Sequence, residues 1–193
     1  MAPTKVNLKI YQGSTFTEVF RYESATKVYV PISAVFKGAP MMVTATAHGM
    51  VAGWRCKLSN VGGMTEANNL DYIVATSVTA NDLTFNAINS AGFKDYTSGG
   101  ILEYNAPVDL TGMTARMQIR EKLTSATTLD ELTTENGRIV LSNTTKTITV
   151  QIPAATTTNY TFKSGVYSLE LISGATVIPF IYGNITLDKE ITR

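Results

Sequence analysis

Residues 106–120 read Ala-Pro-Val-Asp-Leu-Thr-Gly-Met-Thr-Ala-Arg-Met-Gln-Ile-Arg. Val108 and Leu110 alternate with Pro107 and Asp109. Thr111-Gly112 can turn the chain, and Ala115, Met117 and Ile119 then alternate with Thr114, Arg116, Gln118 and Arg120. A period of two puts successive side chains on opposite faces of a strand. The stretch therefore predicts a strand, a tight turn and a second strand with one buried face. It carries no group suited to catalysis, so it decides a fold class, all-β, rather than a reaction.

The same alternation recurs on both sides. Lys5–Tyr11 places Val6, Leu8 and Ile10 on one face. Thr15–Tyr22 places Phe16, Phe20 and Tyr22 in phase, with Glu18 out of character, which predicts an edge or interface strand. Lys27–Ile32 is a short candidate that Pro31 confines to an edge. Downstream, Ile139–Ser142, Thr147–Ile152, Val166–Ile172 and Thr176–Leu187 are strands, the last two joined by Gly174-Ala175. Residues 153–160 form at most one Pro-first helical turn, and 121–135 are polar and irregular. Between 38 and 103 glycine-containing turns separate short candidate strands: Met41–Thr46, Trp54–Asn60, Asp71–Thr79, Leu83–Ala87 and Ile101–Tyr104. That spacing predicts a small barrel or sandwich.

Composition bounds the function. The chain has 193 residues, 16% charged, with a formal net charge of +1. Such a balance leaves no basic footprint for nucleic acid. No apolar run approaches the roughly 18 residues of a membrane span, and Met1–Asn7 lacks the apolar core of a signal peptide. The single cysteine, Cys56, rules out an internal disulfide and is expected of a reducing cytoplasm.

Two resemblances follow from the order of the motifs. Segments 1–32 and 106–193 contain a strand with a Gly-Ser-Thr-Phe turn, then the 106–120 stretch, Leu129–Leu132 and Asn136-Gly137-Arg138-Ile139. Ser164–Leu171 and Tyr182–Arg193 complete the order. This resembles small tail and baseplate-type proteins of tailed phages, including the N-terminal attachment domain of baseplate upper proteins. The resemblance implies a β-sandwich that fixes a protein to a virion. Ala39–Met50, Gly53-Trp54-Arg55, Val61–Asn68, Tyr72-Ile73-Val74 and Tyr96–Gly100 resemble the small β-barrel known as the first catalytic cysteine half-domain of ubiquitin-activating enzymes. That module does not supply the catalytic cysteine, so Cys56 inherits no such role. The expected organisation is a discontinuous β-sandwich attachment domain, 1–37 with 105–193, and a small β-barrel, 38–104, inserted in one of its surface loops.

Residues able to do chemistry are few. The lone histidine, His48, has no Cys or His at metal-ligand spacing and is read as a polar ring capping a turn. Cys56 lies between Arg55 and Lys57, which could lower a thiol pKa. In strand phase, however, it shares a face with Trp54 and Leu58, so a buried small hydrophobe is the better reading. Asp130-Glu131 and Asp188 with Glu190 are the close carboxylate pairs, and solvated loop charges are the expectation for the first. Gly62-Gly63 and Gly99-Gly100 could cradle an anion but lack the helix and lysine of a phosphate loop.

Phe16, Phe20, Tyr22, Tyr29, Phe36 and Tyr104 are candidates for an interface, although core packing is the default reading for each. The expectation is a non-enzymatic structural protein of a tailed-phage virion: a tail, baseplate, adaptor or fibre-attachment subunit assembled in the bacterial cytoplasm. It would bind other virion proteins and copies of itself, with the host domain carrying the main contact. No catalytic, metal or cofactor site, nucleic acid or membrane is expected. The alternatives are a head decoration or head-fibre protein and, from another class, a glycan- or receptor-binding module.

Overall fold

A computed structural model describes residues 2–191. Met1, which opens the N-terminal stretch, and Thr192-Arg193, which close the C-terminal motif, lie outside the described residues. The chain is all-β. In order the strands are β1 (Thr4–Lys5), β2 (Leu8–Tyr11), β3 (Phe16–Phe20), β4 (Glu23–Pro31), β5 (Ala34–Phe36) and β6 (Met41–Thr44). Then come β7 (Arg55–Gly62), β8 (Ile73–Val74), β9 (Ser77–Val78), β10 (Asp82–Phe85), β11 (Ser98–Pro107) and β12 (Met113–Arg120). The last are β13 (Asp130–Thr133), β14 (Ile139–Ser142), β15 (Thr147–Ile152), β16 (Ser164–Ser173) and β17 (Thr176–Asp188), with one short helix, α1 (Ala154–Thr158), before β16. Two compact units result: Met1–Tyr22 with Asp109–Arg193, and Glu23–Val108.

The first unit has a six-stranded sheet, ordered β1-β17-β16-β12-β13 with β2 also on β17, and a three-stranded sheet, β14-β15-β3. Alternation turns Ala115, Met117 and Ile119 of β12 and Leu169 and Leu171 of β16 inward, where they meet Ile148, Val150 and Ile152 of β15 in one core. Two sheets that bury one face each against the other make a sandwich-like body. Arg116, Gln118 and Arg120 take the opposite, solvated face, as alternation predicts.

Two expectations change here. Lys5–Tyr11 is not one strand. It runs parallel to β17 as β1 and β2, interrupted at Val6-Asn7, where the Asn7 side chain accepts the Asn184 amide at 3.1 Å. The chain passes so close at this point that a Cβ at Gly183 would overlap the Val6 carbonyl oxygen. Nor do Val108 and Leu110 form a strand before the Thr111-Gly112 turn. The Asp109 carboxylate accepts the Thr111 amide and hydroxyl, and the Leu110 amide donates to Asn143 Oδ1 at 2.9 Å. Local side-chain partners thus replace a ladder in 108–110. β12 pairs instead with β13 and β16.

The second unit has two open four-stranded sheets, β4-β11-β7-β8 and β5-β6-β10-β9. They share a core of Met41, Trp54, Leu58, Phe85 and Leu102. The expected barrel is not closed among the described residues, because the two sheets keep separate ladders. Trp54, Cys56 and Leu58 are fully buried, as their phase predicts. The expected boundaries at 38 and 104 fall inside this unit. β4 pairs along β11 from Pro31↔Ile101 to Glu23↔Pro107, and β5 pairs with β6, so residues 23–37 belong with the insert.

This register makes the division testable by fragments. Residues 23–108 expressed alone should give a cooperative unfolding transition and protected amides. Residues 38–104, which lack β4 and β5, should not. Equal protection in both fragments would show that β4 is dispensable to the unit.

Candidate functional site

The six aromatic interface candidates separate by burial. Phe16, Phe20 and Tyr22 are half-buried against the core of the first unit. Phe20 meets Phe180 edge to face, with ring centroids 6.4 Å apart, and Tyr22 meets the same ring at 5.2 Å. These rings complete a core rather than present a free surface. Tyr104 is buried, and its hydroxyl donates to the His48 carbonyl at 2.6 Å. A partner chain has no access to it, because β11 turns Leu102 and Tyr104 to the same inner face.

Tyr29 and Phe36 are different, with 60% and 55% of their surface exposed. Tyr29 lies on β4 and Phe36 on β5, each the edge of its sheet. In the β5–β6 ladder Phe36 stands opposite Met42, itself 40% exposed. Cross-strand partners lie about 5 Å apart, so Phe36 and Met42 form one apolar patch. The pairing of Met42 with Phe36 is not legible in the sequence, because β5 is three residues long and shows no period.

His48 is buried. Its Nδ1 accepts the Met50 amide at 3.0 Å, the turn-capping role expected of it. Burial lowers its pKa, and the nearby backbone of Thr79 and Asp82 offsets part of that effect. Burial pushes the Cys56 thiol up to about 12, so it remains protonated and a poor nucleophile near neutral pH. The glycine pairs serve close packing: a Cβ at Gly63, which has φ 75°, would overlap the Asp95 carbonyl. No group of three or more His, Cys, Asp or Glu able to hold a metal occurs among the described residues.

Asp130 corrects the reading of 121–135 as an irregular polar loop. It begins β13, and its carboxylate takes a forked pair of hydrogen bonds from Arg138 and a third from the Tyr160 hydroxyl. Burial alone would raise the Asp130 pKa. The Arg138 and Tyr160 hydrogen bonds outweigh it and hold the carboxyl below its ordinary range. Burial, then the carboxylate, raise the Tyr160 pKa in turn. The group ties β13 to the start of β14 and to the segment after α1. Glu131, its neighbour, is exposed and bound to Gln118.

Compared with known proteins, the chain matches no family and no curated protein.

The buried titratable groups set two expectations for stability. Asp130→Asn leaves Arg138 without its counter-charge and should destabilise the first unit by about 3 kcal/mol at pH 7. A carboxylate with a depressed folded pKa stabilises above its unfolded pKa of about 3.9. The gap between wild type and variant should therefore narrow as the pH falls through the folded value. Urea titrations followed by near-ultraviolet circular dichroism measure both. For His48 the unfolded chain binds a proton that the folded chain resists, so the second unit should lose stability as the pH falls below about 6.5. Trp54 fluorescence during denaturation at pH 7.5 and 5.5 reads this, and His48→Gln should remove the pH dependence.

Proposed function

We propose that this chain is a non-enzymatic structural protein of a tailed-phage virion, a tail, baseplate, adaptor or fibre-attachment subunit. It assembles in the bacterial cytoplasm and works through contacts with other virion proteins and copies of itself. The observation that carries the reading is the Phe36–Met42 patch on an open sheet edge, with Tyr29 on a second open edge of the same unit. Uncovered strand edges bearing large apolar side chains invite pairing with another chain. Aromatic residues and methionine are also enriched at protein contacts. The motif order of 106–120 and its flanks supports the phage assignment. The buried titratable groups are consistent with a protein whose polar residues serve packing.

This reading gives the contact to the second unit, whereas the expectation from sequence gave it to the host domain. Phe20, the natural choice from sequence, is a poor probe because it packs on a core. Phe36→Asp combined with Met42→Ser alters exposed positions and should change stability by only about 0.5 kcal/mol per site. In purified particles, the amount of this double variant relative to the major virion proteins should fall at least about tenfold, an effect that one lost hot spot can produce. Val177→Ser, at an exposed position near the β16–β17 turn, should incorporate normally. Undiminished incorporation of the double variant, or absence of the wild-type chain from the particles, would refute the proposal.

A further inference from the structure

The solvated face of the six-stranded sheet carries a groove of about 360 Å³. Register builds it. Gln118 lies opposite Ser168, Ser168 opposite Tyr182, and Tyr182 opposite Lys5, so one row of side chains crosses β12, β16, β17 and β1. The adjacent row is Arg120, Val166 and Asn184. Leu123, 89% exposed, forms one wall from the segment after β12.

The polar groups of the groove fall into two sets. Arg120 is committed: its guanidinium donates to the carbonyls of Ser125 and Ala126 and to Gln118 Oε1. Gln118 in turn donates to Glu131. These bonds brace the segment that carries Leu123. The Ser168 hydroxyl, the Tyr182 hydroxyl, the Asn184 side-chain amide and the Lys5 ammonium make no hydrogen bond or ion pair with another described residue. They line the groove together with the Tyr182 ring, 44% exposed, and Val166.

We propose that this groove binds a saccharide, specifically a pyranose bearing a carboxylate. The volume lies in the range of small-ligand sites, which pair apolar walls with a few placed polar groups. An exposed Tyr ring offers a flat face of negative potential to the polarised C–H bonds of a sugar ring. Ser168 and Asn184 supply a hydroxyl and an amide, each able both to donate and to accept, which suits a ligand made of hydroxyls. Lys5 supplies the uncommitted positive charge in the groove and selects a carboxylate through a charge-assisted hydrogen bond. This site goes beyond the structural role and does not depend on it, since it belongs to the first unit.

The test uses the full chain with glucuronate and glucose as probes, followed by saturation-transfer and amide-shift NMR. Glucuronate should bind with shifts centred on β16 and β17, and glucose more weakly. Lys5→Gln should weaken glucuronate about tenfold, the worth of one charge-assisted hydrogen bond, and leave glucose unchanged. Tyr182→Ala should abolish both, with circular dichroism unchanged. If Tyr182→Ala perturbs the fold, Ser168→Ala should still weaken both probes. Failure of glucuronate to bind at about 10 mM, affinities unchanged in Lys5→Gln and Tyr182→Ala, or shifts elsewhere would overturn the proposal. So would a doubled solution mass that Tyr182→Ala returns to that of the monomer, which would make a second copy the occupant.

Discussion

The pairing of β4 with β11 is the constraint on which the second unit and its insertion depend. The ladder places Glu23 opposite Pro107, so the insert begins and ends with two strands held side by side. Side chains reinforce this neck. The Asn105 amide donates to the Ser24 carbonyl at 2.8 Å, the Trp54 indole donates to the Asn105 carbonyl at 2.9 Å, and Arg55 forks onto Glu23. With the ends closed internally, the inserted length places little strain on the host, since loop-closure entropy grows by only about 0.6 kcal/mol per doubling of length. The Arg55–Glu23 pair is largely exposed on the arginine side and acts as a guide rather than a source of stability.

In the first unit the equivalent constraint is the β16–β17 hairpin. It turns at Gly174, and its strands carry β12 on one side and the N-terminal strands on the other. Gly183 admits the Val6 backbone, and the same stretch of β17 turns Tyr182 and Asn184 outward into the groove. Fold and candidate site thus share one strand: inward residues hold the core, and outward ones form a surface row whose order follows from register.

Long alternating runs made much of this legible from sequence. Ile139–Ser142 and Thr147–Ile152 are strands with the expected limits, and Trp54, Cys56 and Leu58 share the expected buried face. Four things were not legible. Alternation says that two faces differ but not which partner each meets, so it leaves Tyr104 a candidate for a contact as well as for the core where it lies. The sequence leaves Lys27–Ile32 with the host because its partner strand, β11, lies some 70 residues away, and nothing local specifies that pairing. β13 is hidden in the sequence because only Leu132 in Asp130–Thr133 is fully buried; it is held by its ladder with β12 and by Arg138 and Tyr160 through Asp130. The groove was invisible for the same reason, since Lys5, Gln118, Ser168 and Tyr182 meet only through register.

Native-state hydrogen exchange on the full chain, at increasing sub-denaturing guanidinium, tests most directly the claim that β4 belongs to the inserted unit. The amides of 23–31 should open together with those of β7 and β11, at a free energy distinct from that of β16 and β17. Joint opening of 23–31 with β3 and β15, while β7 and β11 stay protected, would contradict the account and return the boundary to the position expected from sequence.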